Sequence, residues 1–261
     1  MSLPGYTWLL ALAALVLLGC GPSKSELQTR DRQAEYNYNL GYGYYFSPNA
    51  PNADAALQAT LAALEIKPDY PEAHMLAGLI YLGRESHLDA IRHFRRAVEL
   101  KPDYRDARHN LGATYLAAER WDEAIAVFDE LVRDRFYATP GHGHNNLGWA
   151  WYKKREPGKA RIHLERAIKL APELCPAYNN LGLVLIDADE FEAAARTLER
   201  AVRRCPSYAE PHYHLGRVEA QRQNLTEARS QFTRCRELAG DAPLGDRCAQ
   251  RLAALPPAGQ P

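Results

Sequence analysis

The residues of this 261-residue chain best suited to chemistry are its five cysteines and nine histidines. Cysteine thiolates take lipid, pair as disulfides or hold soft metals, and histidines hold metals or pass protons near neutral pH. The histidines include two His-X-His triplets, His142-Gly143-His144 and His212-Tyr213-His214. Side chains two apart on a helix point about 200° apart, so neither triplet can close on one ion. No Gly-rich phosphate loop, nucleophile elbow or metalloprotease helix occurs. The expectation is a protein that is not an enzyme, with no metal and no cofactor. The cysteines fall into two groups. Cys20 stands behind the apolar stretch Trp8 to Leu18, and Cys175, Cys205, Cys235 and Cys248 form an even set near the C-terminus.

Thirty-two basic residues balance thirty-two acidic ones. That balance removes the electrostatic pull expected of a nucleic-acid-binding protein, so no nucleic-acid partner is expected. A hydrophobic content of 46% is that of a folded chain rather than a disordered one.

The elements that carry these side chains show in a recurring phrase: Gly78, then Ala90, Ala97 and Pro102, with Tyr81 and Phe94 between. It restarts at Gly112, Gly148, Gly182 and Gly216, in steps of 34, 36, 34 and 34 residues. A period of this length means a solenoid. The phrase resembles the tetratricopeptide repeat, a unit of two antiparallel helices, A and B. Gly or Ala stands where the helices cross, as do Ala90, Ala124, Ala160, Ala194 and Ala228, and an aromatic fills the space beside it. Pro68, Pro102, Pro172 and Pro206 lack a donor and push the preceding residue out of helical geometry, so each closes a helix B. Six copies can be placed, the first on Leu40-Gly41, Tyr44, Ala56, Ala63 and Pro68 with an Asn/Pro-rich turn inserted. The expected fold class is all-α, a right-handed superhelical solenoid of six tetratricopeptide repeats over 33–240, with a capping helix at 241–255 and a frayed tail at 256–261.

The N-terminus lies outside this pattern. The apolar run is too short to span a membrane and has the length of a signal-peptide core. It ends in Leu17-Leu18-Gly19-Cys20, which resembles the lipobox of bacterial lipoproteins, although Met1 to Thr7 hold no basic residue. The resemblance implies a signal peptide at 1–19, lipid on Cys20, and a polar tether at 20–32. Gly21 in the second mature position implies sorting to the outer membrane, with the body facing the periplasm.

In that oxidising compartment the remaining cysteines are expected as staples. In the repeat register Cys175 begins helix A of the fifth repeat and Cys205 ends its helix B, at the same end of an antiparallel pair. Cys235 lies on the last helix B, where the helix carrying Cys248 must pack. Cys175–Cys205 and Cys235–Cys248 are the expected bonds, though four cysteines also allow two other pairings, or four free thiols.

In tetratricopeptide folds the concave surface is lined by the second, fifth, ninth, twelfth and thirteenth places of each repeat. The first repeat places Tyr38, Tyr42, Tyr45 and Phe46 there, and the second Met75, Leu79 and Leu82. Asn145, Trp149 and Tyr152 follow in the fourth, Asn179 and Leu183 in the fifth. This stripe is the expected partner-binding groove, suited to an apolar and helical segment, with the asparagines placed to bond a peptide backbone.

A lipobox followed by six such repeats and a cap resembles the type IV pilus pilotins of the PilF, PilW and Tgl class. The resemblance implies an outer-membrane lipoprotein that binds secretin subunits and promotes their localisation and multimerisation. A periplasmic adaptor for peptidoglycan enzymes or for outer-membrane protein assembly is the alternative that shares this layout.

Overall fold

The computed structural model describes residues 23–48 and 51–256. Cys20, the expected signal peptide and the last five residues of the tail lie outside them. The described residues form thirteen helices and no strand. Helix α1 (Lys24–Tyr45) pairs with α2 (Ala53–Ile66), and α3 (Pro71–Gly83) with α4 (His87–Leu100). The next pairs are α5 (Arg105–Ala117) with α6 (Trp121–Arg133) and α7 (Pro140–Lys153) with α8 (Pro157–Leu170). The last are α9 (Cys175–Asp187) with α10 (Phe191–Arg204) and α11 (Ala209–Gln221) with α12 (Leu225–Ala239), which α13 (Pro243–Ala253) follows. Each helix packs on its sequence neighbours and each A helix also meets the next A helix, so the core is a chain of small clusters.

The recurring residues have the steric roles that their types suggest. A Cβ built on Gly78 would lie 2.6 Å from the Phe94 ring, and one on Gly112 would lie 2.7 Å from Phe128. Glycine is required there because the ring of helix B lies against the backbone of helix A. Ala90, Ala124, Ala160, Ala194 and Ala228 are fully buried at the crossings. Helices α2, α4, α8 and α10 each stop two residues before their proline.

The turns from A to B are less expected. Glu85, Glu119, Arg155, Asp189 and Gln223 hold the left-handed conformation at φ between 57° and 63°. Each stands at the same place in its repeat, where the next residue's amide reaches back to helix A, as Ser86 N does to the Tyr81 carbonyl at 2.9 Å. This is a helix-ending motif that glycine ordinarily fills, and none of the five is glycine.

The N-terminal boundary differs from the expected tether. Described residues of that segment, from Lys24 onward, are the first turns of α1. Ser23 caps Glu26 N, and the Glu26 carboxylate returns the bond to Ser23 N, a reciprocal cap. Arg30 donates to the Ile66 carbonyl at 3.1 Å, and Asp31 pairs with Lys67 at 3.1 Å. Helix-helix contacts thus order a stretch whose polar composition reads as a linker.

Both expected cysteine pairs are bonded, with Cα separations of 6.4 Å for Cys175–Cys205 and 6.0 Å for Cys235–Cys248. Helix α13 lies on α12 around Cys235 and Cys248, with Tyr213, Phe232, Leu244 and Leu252 in the same cluster.

Candidate functional site

The groove residues of the first repeat form a continuous aromatic surface. Tyr38 is half-buried, 6.2 Å from Tyr42 and 5.1 Å from Tyr70 between ring centroids. Burial holds the Tyr38 phenol above its ordinary pKa and raises that of Tyr70 to about 12. Tyr42 packs at a tilt on Phe46 at 4.5 Å, and Tyr45 meets Phe46 edge-on at 4.9 Å. Tyr45 is anchored by its hydroxyl, which donates to the Leu79 carbonyl at 3.3 Å. Tyr42 and Phe46 remain 49% and 50% exposed, although burying such rings is worth about 2 kcal/mol or more each. The ladder therefore has a fixed inner row, Tyr38 and Tyr45, and an open outer row, Tyr42 and Phe46.

The second repeat contributes less open surface. Met75, Leu79 and Leu82 are half-buried and pack on the cluster of Ile91, Leu111 and Tyr115, so they join the groove floor to the core.

In the fourth repeat Trp149 lies 5.4 Å from Tyr152, with the Lys153 ammonium 5.6 Å from the Trp149 ring. Tyr152 donates to Asp187 at 2.8 Å, and burial together with that carboxylate pushes its pKa up to about 12. Asn145 accepts from Asn180 at 3.0 Å, a bond between repeats. Leu183 is half-buried. Asn179 departs from the expectation: its side chain is buried and its amide oxygen has no partner. At 6% exposure Asn179 presents almost no surface to a peptide.

The two His-X-His triplets do not close on themselves, but histidines pair across helices in a way that spacing along one helix does not disclose. His74 Nδ1 lies 3.0 Å from His93 Nδ1, and His144 Nδ1 lies 3.0 Å from His163 Nδ1. Both pairs join the fourth place of helix A to helix B, nineteen residues on. His74 Nε2 is 2.9 Å from the Pro68 carbonyl, which only accepts, so that nitrogen carries the proton and His93 Nδ1 donates to His74. Burial, then the neighbouring imidazole, lowers the His93 pKa to about 4, and the same causes lower His144 to about 4. In the sixth repeat the matching pair is His212 with Gln231, at 2.6 Å. No group of three or more metal-ligating side chains occurs among the described residues, and none of their helices is long and apolar enough to cross a membrane.

Comparison with known proteins agrees with this geometry. One tetratricopeptide repeat model matches residues 38–105 and again 179–243, and two further models of the same description match 81–136 and 141–174. No curated protein sequence matches significantly. Among solved structures, that of PilW, described as a widely conserved type IV pilus biogenesis factor, superposes with a TM-score of 0.72 at 20% identity. The alignment covers 83% of this chain and 98% of that one. Pseudomonas aeruginosa PilF superposes at 0.69 with 18% identity, over 85% of this chain and 99% of that one. YrrB, described as having an unusual peptide-binding site, gives 0.54 at 20% identity, over 74% and 99%. At these identities the likeness is one of fold.

Proposed function

This chain belongs to the tetratricopeptide repeat family, whose members are generally protein-interaction scaffolds, and on that premise we propose that it is a pilotin. In this reading it is an outer-membrane lipoprotein, anchored through Cys20 and facing the periplasm, that binds secretin subunits and promotes their multimerisation for type IV pilus biogenesis. The observation that carries the reading is the open aromatic row of Tyr42 and Phe46 beside the fixed Tyr38 and Tyr45. Such a surface suits an apolar, amphipathic segment, and a secretin subunit waiting to insert in a membrane must expose one. The structural likeness to PilW and PilF over nearly their whole length supports the same reading.

The mechanism is capture and positioning. Lipid supplies location, and a shared membrane raises the effective concentration of scaffold and subunit, so modest contacts suffice. No bond is made or broken. Deleting the gene tests the proposal: loss of surface pili with the secretin left monomeric is expected. Normal pili with altered cell shape would sink it and favour the adaptor reading. Replacing Tyr42 and Trp149 by Ala is expected to weaken capture without unfolding the chain.

A further inference from the structure

The end of the solenoid opposite the cap carries an apolar face that later repeats always bury. The third place of helix A holds Ala73, Ala107, Gly143, Ala177 and Pro211 in repeats two to six, all buried. This place lies against the preceding helix B, since a Cβ on Gly143 would come within 2.7 Å of Val132 on α6. In α1 the same place is Tyr36, 63% exposed, followed on one face by Leu40 and Tyr44 at 37% and 39%. Leu147, at the place corresponding to Leu40, is fully buried.

We infer that this face pairs two copies of the chain, α1 against α1, antiparallel about a two-fold axis through Leu40. Three observations choose a second copy over other occupants. Tyr36 stands where a repeat-type helix makes its tightest approach, so another helix pair cannot extend the array in the usual geometry. Tyr36 and Tyr44 are each four residues from Leu40. An antiparallel pair therefore sets Tyr36 of one copy beside Tyr44 of the other at both ends, the self-complementarity that a two-fold interface demands. Third, the face between Thr29 and Tyr44, through Gln33 and Asn37, is uncharged along its centre; Arg32, four residues before Tyr36, borders it, and an antiparallel pair about Leu40 sets Arg32 opposite Pro48 of the other copy rather than beside its own counterpart. Arg30 and Asp31 are turned toward the end of α2 instead. Two copies thus meet with no like charges face to face, whereas a charged partner would find only Arg32 at the margin to pair with. The groove row of Tyr42 and Phe46 lies on the other side of α1, so pairing leaves both grooves open.

The test is sedimentation of the full-length chain in detergent micelles at micromolar concentrations. The native chain is expected to sediment as a dimer. Leu40→Glu places two carboxylates together on the axis, and Leu40→Lys two ammonium groups, so each is expected to weaken association at least about tenfold. An equimolar mixture of the two is expected to restore the dimer. Tyr36→Asp, at a more exposed place, is expected to weaken association with an unchanged helical circular dichroism spectrum. A monomeric native chain, dimers indifferent to these changes, or a mixture that stays monomeric would each overturn the inference.

Discussion

The first and last repeats share one helix-pair geometry and present opposite surfaces. The first leaves Tyr36, Tyr42, Tyr44 and Phe46 in contact with solvent. The sixth seals its outer, C-terminal edge under α13, ties Cys235 to Cys248, and adjoins a fifth repeat closed by Cys175–Cys205. A solenoid tolerates this division because each repeat is stabilised only by its neighbours, so one end can stay apolar and open while the other is locked. Stability and the proposed capture are then separable along the chain.

The largest expected break in this comparison comes from the disulfides. They span 30 and 13 residues, and in the chain-entropy model each contributes about 3 to 4 kcal/mol. Reduction, or Cys175→Ser with Cys205→Ser, is expected to speed amide exchange in α9 to α13 while leaving α1 to α3 unchanged. Equal loss of protection at both ends would show that the array unfolds as one unit.

Acid should act differently, on the paired histidines of the second and fourth repeats together with His109 and His214, whose pKa values burial also lowers, that of His214 to about 4. His93 and His144 have folded-state pKa values of about 4, below the ordinary 6.5, and their partners His74 and His163 are lowered as well. Groups depressed on folding leave the unfolded chain binding more protons, so stability is fully present above pH 6.5 and drains as pH falls toward 4. The urea midpoint should therefore drop across that window. His93→Gln with His163→Gln imitates the His212–Gln231 pair of the sixth repeat and is expected to make the slope shallower, leaving the part due to His109 and His214. An unaltered slope in that variant would assign the acid sensitivity to other groups.

The smallest effect concerns the left-handed turn residues. Glu85→Gly and Glu119→Gly relieve a conformation that costs a side-chain-bearing residue about 1 kcal/mol. Each is expected to raise stability by several tenths of a kcal/mol or more after the added freedom of the unfolded chain is set against it. Thermal melting of the single variants measures this, and a lower melting temperature would contradict it.

Most of the fold was legible because the residues that build it recur for steric reasons. Gly78 faces Phe94 and Gly216 faces Phe232 for one reason, so a period in the sequence is a period in the structure. The cysteine pairs followed from that register. The extent of α1 was not legible from composition, since Lys24 to Arg32 is polar enough for a linker, but Ser23 and Glu26 carry the spacing of a helix cap. Asn179 stands at a groove place and is buried, because the burial of one side chain depends on neighbouring repeats as well as on its own helix. The histidine pairs escape any reading confined to one helix. Their signal is a nineteen-residue interval seen in two repeats, His74 to His93 and His144 to His163.

The central claim is that the open aromatic row at the N-terminal end captures the partner. The most direct measurement is the amount of secretin that co-purifies with the full-length protein from cells when Tyr42 and Phe46 are both changed to Ala. Ile162→Ala, a change at a side chain of α8 that is 66% exposed, serves as control. The account predicts that capture falls by about tenfold or more in the double variant, with unchanged melting and no loss in the control. Secretin recovered in undiminished amount by the double variant would contradict it.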